Sequence, residues 1–162
     1  MEIALSQRYH TFFRECHVQK MAMRFKVKTE GLEEIRLSST LLLLSDDEAL
    51  VNLVLGIVEP PWKLVRSSAD RYTNRRMFTQ PNVRLVILDD QTVKENDRSW
   101  LLARIRKHFS GTSLLYVAGS HSDGNERRAR SNGAHYYVSK PLALDRFGHV
   151  LQSFLRAQGA KG

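Results

Sequence analysis

Two apolar runs of this sequence each lead into a group of carboxylates. In the first stretch, VRLVILDDQTV, the apolar run is followed by Asp89 and Asp90. In the second stretch, TLLLLSDDEAL, the apolar run is followed by Asp46, Asp47 and Glu48. Carboxylates that converge repel one another unless a cation neutralises them, and a hard ion such as Mg²⁺ prefers oxygen ligands. If the two runs are strands of one sheet, their ends predict a site for a divalent cation.

The pattern of elements places both acidic groups at one edge of a sheet. From Thr40 onward, short apolar runs alternate with longer segments of helical periodicity, which is typical of βαβ units. The predicted strands are Leu41–Leu44, Trp62–Val65, Leu85–Leu88, Leu114–Val117 and His135–Val138. The predicted helices are Glu48–Val58, Ala69–Phe78, Trp100–Phe109, Asp123–Asn132 and Leu142–Leu155. We therefore predict an α/β fold, a doubly wound five-stranded parallel sheet with helices on both faces. Ligands of such sheets bind beyond the carboxyl ends of the strands.

Length, charge and cysteine content narrow the class of protein. The chain has 162 residues, enough for one domain with a core, and 42% of them are hydrophobic. Its net charge of +8 favours acidic partners, but no arginine-rich tail or aromatic–basic module favours specific nucleic-acid binding. The run Leu41–Leu44 is too short to cross a membrane, and the first residues do not resemble a signal peptide. With one cysteine, Cys16, the expectation is a cytoplasmic protein without an internal disulfide.

Three stretches, LLLLSDDE, LVILDD and GAHYYVSKPL, resemble the landmark strands of a response-regulator receiver domain from two-component signalling. The resemblance extends from about Thr40 to Ala157. Asp46 and Asp89 are 43 residues apart, and Gly133-Ala134 precedes Lys140-Pro141 as in that family. Each of these motifs is weak evidence by itself, but their order and spacing within a fivefold βα pattern favour the receiver fold.

The resemblance implies a role for each residue at the acidic edge. Asp89 would accept a phosphoryl group, and Asp46 and Asp47 would be acidic residues of a Mg²⁺ site. Asp89 and the backbone carbonyl of Gln91 would complete the metal ligands, and the ammonium of Lys140 would pair with the phosphate oxygens. The partner that supplies the phosphoryl group would be a sensor histidine kinase or a phosphotransfer protein.

The sequence departs from the family at two positions. Asp90 follows the acceptor where the family usually has an apolar residue, and it adds negative charge there. Ala118 takes the place of the Thr or Ser that binds the phosphoryl group, and alanine cannot donate that hydrogen bond. Ser120 could replace it only if the loop were shifted by two residues. Tyr137 matches the aromatic switch position, but without a hydroxyl partner its coupling to phosphorylation is weakened.

Some of these residues also have simpler interpretations. Asp46 and Asp47 could cap the helix that begins near Glu48, because acids at a helix N-terminus favour its dipole. Three arginines of the fourth helix form a candidate face for an acidic partner, or else a solvated surface: Arg127, Arg128 and Arg130. Receiver domains use this region for dimers as well as targets, so the same face would serve a homodimer.

We expect three segments along the chain. Residues 1–38 form an N-terminal extension whose structure the sequence pattern does not predict. Residues 39–157 form the receiver-like domain, and residues 158–162 form a tail. Because no output domain is expected after the tail, the protein would act alone, by docking.

Two principal functions follow from the sequence, with a third more distant. The first is a stand-alone receiver of a two-component phosphorelay that accepts a phosphoryl group on Asp89 with Mg²⁺. It would catalyse at most its own phosphorylation and dephosphorylation. The second is a pseudo-receiver, which would signal through protein contacts without phosphorylation. A basic nucleic-acid-associated protein is the distant alternative.

Overall fold

The computed structural model describes residues 38–67 and 77–159, which belong to one unit that begins at Ser38. These residues form a five-stranded parallel sheet with strand order β2-β1-β3-β4-β5. The strands are β1 (Thr40–Leu44), β2 (Lys63–Ser67), β3 (Val83–Asp89), β4 (Ser113–Ala118) and β5 (Tyr136–Ser139). The predicted doubly wound α/β sheet is therefore confirmed.

Four α-helices lie between or after these strands in the described part of the chain. They are α1 (Glu48–Ile57), α2 (Glu95–His108), α3 (Asp123–Ser131) and α4 (Leu144–Gly159). α2 begins five residues before the predicted start, because its first turns are polar and its buried side chains begin only at Leu101. α3 ends as predicted before Gly133, whose φ of +91° is a backbone conformation that glycine adopts without strain.

The core consists of two layers, one on each face of the sheet. In β1, Leu41 and Leu43 pack with the buried residues of α1 and α4, whereas Leu42 and Leu44 pack with those of α2 and α3. Successive side chains of a strand point to opposite faces, so a strand buried on both faces must be apolar at every position. This requirement explains the unbroken leucine run of β1, all of it inaccessible to solvent.

The order of the strands fixes where a site can form. The chain passes from β1 to β2 on one side and then returns to place β3 on the other side of β1. Leu44 pairs with Leu88 at the carboxyl ends of β1 and β3. The next residues of these two strands, Ser45 and Asp89, are therefore neighbours at the point where strand order reverses, which is where such sheets bind ligands.

Some predicted segments lie outside the described residues or differ from them. The helix predicted over Ala69–Phe78 lies almost wholly outside, as does the N-terminal extension. The second strand begins at Lys63 rather than Trp62, because the Trp62 amide closes a turn by donating to the carbonyl of Glu59. Within residues 38–67 and 77–159, no helix is both long and apolar enough to cross a bilayer.

Candidate functional site

The predicted acceptor, Asp89, is almost completely buried and hydrogen-bonded at the end of β3. It is 1% exposed. Its Oδ2 accepts a hydrogen bond from the Ser45 hydroxyl at 2.8 Å, and its Oδ1 accepts one from the backbone amide of Gln91 at 3.2 Å. The residue that faces Asp89 from β1 is thus a serine and not a second carboxylate.

Lys140 connects the end of β5 to the acidic residues of the other strands. Its amide donates to the carbonyl of Ala118 at 2.8 Å, which fixes its place beside β4. Its Nζ lies 2.7 Å from Asp47 Oδ2, 2.9 Å from Asp89 Oδ2 and 2.9 Å from Gln91 Oε1. One ammonium therefore bridges three acceptors from two strand ends. We call Ser45, Asp46, Asp47, Asp89, Gln91 and Lys140 the acidic pocket.

Asp47 has two tasks in this pocket. Its Oδ1 caps α1 by accepting hydrogen bonds from the amides of Ala49 and Leu50, and its Oδ2 pairs with Lys140. The hydrogen bond from Lys140 lowers the pKa of Asp47 below its ordinary value. Burial acts to lower the pKa of Lys140, but its bonds to Asp47 and Asp89 outweigh burial and raise that pKa.

The capping interpretation of the first acidic pair therefore holds for Asp47. Asp46 is not a cap: its side chain is exposed, and its amide donates to Thr92 Oγ1 at 3.1 Å. Among the described residues, no three His, Cys, Asp or Glu side chains converge as a metal site would require. In this arrangement the carboxylates of the pocket do not fit a Mg²⁺ site, because Asp47 and Asp89 already accept hydrogen bonds from protein donors. The magnesium site therefore stays a prediction.

From its position in the sequence, Asp90 was expected to add negative charge beside the acceptor, but its carboxylate is engaged elsewhere. Its carboxylate reaches β4, where it accepts from the Gly119 amide at 2.7 Å and from the Tyr116 hydroxyl at 3.2 Å. Arg98 on α2 lies 3.4 Å from Asp90 Oδ2 and neutralises the charge. Asp90 is 2% exposed, so it is a buried, paired carboxylate that ties β3, β4 and α2 together.

Solved structures that match this fold include response regulators. A response regulator from Thermotoga maritima matches with 16% identity and a TM-score of 0.61, over 74% of this chain and 98% of its own. A CheY-like receiver domain protein from Methanospirillum hungatei JF-1 matches with 20% identity and a TM-score of 0.62, over 76% of this chain and 98% of its own.

A response regulator from Clostridium difficile matches with 18% identity and a TM-score of 0.59, over 74% of this chain and 96% of its own. This chain has a receiver-domain fold. No family model and no curated relative matches it, and identities this low establish the fold alone.

Within the receiver fold, Ala118 is the last residue of β4 and pairs with Ser139 of β5. Its side chain is fully buried, so this strand ends in a methyl group where the resemblance calls for a hydroxyl. The register contains no shift that would bring the exposed Ser120 to this place. At the next position, a Cβ on Gly119 would lie 2.6 Å from Gln91 Cγ, so only glycine lets the Gln91 side chain pass towards Lys140.

Tyr137, at the predicted switch position, is packed into the core. Its ring stacks on Tyr116 with a centroid distance of 5.8 Å. Its buried hydroxyl has no hydrogen-bond partner in the described residues, although the Ser122 backbone is near enough to act on its pKa. Burial is the largest cause that raises the pKa of Tyr137, and burial together with the charge of Asp90 raises that of Tyr116. Both tyrosines are therefore neutral core residues at neutral pH.

The predicted partner face on α3 is exposed, but part of its charge is neutralised. Arg127, Arg128 and Arg130 are all exposed. Arg130 pairs with Glu126 one turn earlier at 2.7 Å. Only Ala129 of this helix is buried, so the face stays a prediction of the sequence.

The sequence analysis missed two side chains of the pocket and one beside it. Ser45 donates to Asp89, the Gln91 side chain accepts from Lys140, and Arg98 pairs with Asp90. The place of Ser45 could have been predicted from the sequence. The apolar runs of β1 and β3 end at Leu44 and Leu88, so the next residues, Ser45 and Asp89, are expected to be neighbours. Gln91 had been predicted only through its backbone carbonyl, and nothing in the sequence marked the side chains of Gln91 and Arg98, because both cross from one element to another.

Proposed function

We propose that this receiver-like domain is an interaction module that works without phosphorylation. The observation that carries the proposal is the contact of one ammonium, Lys140 Nζ, with Asp47, Asp89 and Gln91 at 2.7–2.9 Å. A pocket in which two carboxylates share an ammonium from within the fold needs neither a metal nor a phosphoryl group to hold its strand ends together. Such a domain would act in the cytoplasm by presenting a fixed surface to a protein partner.

The donors to Asp89 support this function. A carboxylate that attacks phosphorus needs a free oxygen lone pair and a cation that neutralises the incoming charge. Asp89 Oδ2 accepts from both Ser45 and Lys140, and the residue is 1% exposed. Attack through Oδ2 would require both hydrogen bonds to be given up in a buried place, which is costly.

Asp90 and Ala118 support the absence of a switch. A switch needs a group that changes partners when the site is modified, and Ala118 has no hydroxyl to do so. The loop after β4 is already held by the bond from the Gly119 amide to Asp90. One arrangement of this loop is thus favoured whether or not Asp89 is modified.

The test is a nuclear magnetic resonance titration of the full chain with beryllofluoride in the presence of Mg²⁺. Beryllofluoride mimics a phosphoryl group on a carboxylate. We expect no saturable shift of the amides of Gln91, Gly119 and Lys140 in the wild type. Asp89→Asn is the matched control, since it keeps the size of the side chain and replaces the nucleophilic carboxylate with a neutral amide. Shifts that appear in the wild type and vanish in Asp89→Asn would overturn the proposal.

The second candidate is a stand-alone receiver of a phosphorelay that accepts a phosphoryl group on Asp89 with Mg²⁺. The ion pair between Lys140 and Asp89 at 2.9 Å favours it, because a lysine is then in place beside the acceptor. The exposed Asp46 adds a carboxylate near the mouth of the pocket. A sensor histidine kinase or a phosphotransfer protein would be the donor, and a saturable response to beryllofluoride that depends on Asp89 would favour this function.

A further inference from the structure

A cluster of aromatic and cationic side chains lies on α2, apart from the acidic pocket. The guanidinium carbon of Arg104 lies over the ring of Phe78 at 4.8 Å and over the ring of Trp100 at 5.1 Å. Both distances are within the range of a cation–π interaction. The phenyl ring of Phe78 is held in turn by His108 and Phe109, with ring centroids 4.8 and 5.6 Å away. The guanidinium is therefore fixed in place before any ligand arrives.

Arg104 has no carboxylate partner among the described residues, and it is the buried Nε that sets it apart from the exposed arginines. Arg66, Arg98 and Arg130 each pair with a carboxylate. Within residues 38–67 and 77–159, Arg104 takes part in no hydrogen bond or ion pair, and its Nε is buried without a partner. A buried donor without an acceptor costs free energy, and an acceptor supplied by another molecule would remove that cost.

The residues around Arg104 form a continuous surface. Trp100, Ala103, Arg104, Lys107 and His108 line a shallow cavity of about 410 Å³. Their spacing of three and four residues places them on one side of the helix. Trp100 is 48% exposed, which is unusual for a large apolar side chain. We call these five residues the α2 stripe.

We propose that the α2 stripe binds an acidic peptide segment of a partner protein, with a carboxylate on Arg104 and an apolar side chain against Trp100. The planar guanidinium presents donors in a fork that matches a carboxylate, and Lys107 supplies a second positive charge. Trp and Arg are the residues that most often dominate the affinity of protein interfaces.

The charges along α2 favour a peptide over a nucleic acid. The first turn of the helix carries Glu95 and Asp97, so the positive surface ends within about two turns. A nucleic acid gains affinity by neutralising several phosphates in a row, which a surface of this length does not provide. One or two carboxylates of a peptide fit it better.

The test is a resonance titration of the full chain with a short synthetic peptide that contains several glutamates and two leucines. We expect saturable shifts of the Trp100 indole N–H and of the amides near Arg104. Arg104→Gln is expected to weaken this binding about tenfold or more, because a charge-assisted hydrogen bond and a fixed guanidinium are lost together. Arg106→Gln is the matched control, since it removes the same charge from the same helix outside the stripe, and we expect it to change affinity less than about twofold.

Three results would overturn the inference. They are the absence of shifts at millimolar peptide, equal losses in Arg104→Gln and Arg106→Gln, and equal binding of a peptide with glutamine in place of glutamate. Tighter binding of a single-stranded oligonucleotide than of the peptide would assign the stripe to nucleic acid instead. None of these results involves Asp89, so the outcome is independent of the function proposed for the acidic pocket.

Discussion

The acidic pocket and the α2 stripe differ in how their charges are satisfied. In and beside the pocket, Asp47 and Asp89 share Lys140, and Asp90 pairs with Arg98. In the stripe, Arg104 lies between aromatic rings with no carboxylate in the described residues. The pocket contains the residue types of a reactive site but uses them within the fold, whereas the stripe leaves a fixed charge for another molecule.

This difference predicts two kinds of mutational effect. Removal of a charge from the pocket or from Asp90 leaves its buried partner unpaired, which lowers the free energy of unfolding. Removal of a charge from the stripe leaves no partner behind, so it should alter binding and hardly alter stability. Four substitutions test this contrast.

Asp90→Ala should have the largest effect. It leaves the Gly119 amide and the Tyr116 hydroxyl without their acceptor and removes the carboxylate partner of Arg98, in a site that is 2% exposed. We expect the free energy of unfolding to fall by about 3 kcal/mol, measured by urea denaturation followed by circular dichroism. Glu48→Ala, which breaks the exposed pair with Arg66, should cost less than about 1 kcal/mol. Equal losses in the two variants would contradict the role given to Asp90.

Lys140→Gln should have the next largest effect. Without the ammonium, Asp89 and Asp47 repel each other, and we expect a loss of about 2 kcal/mol in the free energy of unfolding. The double variant with Asp89→Asn removes one of the two charges as well. Its loss in the free energy of unfolding should be smaller than the sum of the losses in the two single variants, by at least about 1 kcal/mol. Additive losses would show that Lys140 and Asp89 do not interact in solution.

Asp47→Asn separates the ion pair from the helix cap, because asparagine also caps helices well. The folded state holds the pKa of Asp47 below its ordinary value. Its charge therefore adds stability that is present above the ordinary pKa and is lost as pH falls through the lowered pKa. At neutral pH the free energy of unfolding of the wild type should exceed that of the variant by less than about 1 kcal/mol, since the carboxylate is partly exposed. Urea denaturation at several pH values should show this gap close below about pH 4, and a gap that widens in acid would refute the ion pair.

Arg104→Gln should have the smallest effect on stability. Its contacts with Phe78 and Trp100 are worth about 1 kcal/mol or less at a partly exposed site, and loss of a charge without a counter-ion offsets part of that. Thermal denaturation should leave the melting temperature nearly unchanged while peptide binding is lost. A large loss of stability would mean that Arg104 serves the fold, and the contrast with the pocket would disappear.

The sequence was sufficient for the fold because burial on both faces leaves a plain signal. Short apolar runs such as Leu41–Leu44 that alternate with helical segments are typical of strands in a covered parallel sheet, and their order places the acids at one edge. The direction of each carboxylate was not predictable in this way. Asp90 reaches β4 because a partner distant in sequence was available to it, whereas the cap that Asp47 makes on α1 was one of two interpretations that the sequence left open. Trp100 lies one helical turn before Arg104, but Phe78, its other ring partner, precedes it by 26 residues, so the sequence did not reveal the cluster.

The most direct test of the account is a Mg²⁺ titration of the full chain, followed through the backbone amides of the acidic pocket, in the wild type and in Lys140→Gln. If Lys140 supplies the cation that the pocket requires, millimolar Mg²⁺ should leave the wild-type amides of Asp46, Asp89 and Gln91 unmoved. The same titration should then give saturable shifts in Lys140→Gln, where a metal can replace the lost ammonium. Saturable shifts in the wild type that disappear in Asp89→Asn would contradict the account and indicate a metal-dependent receiver.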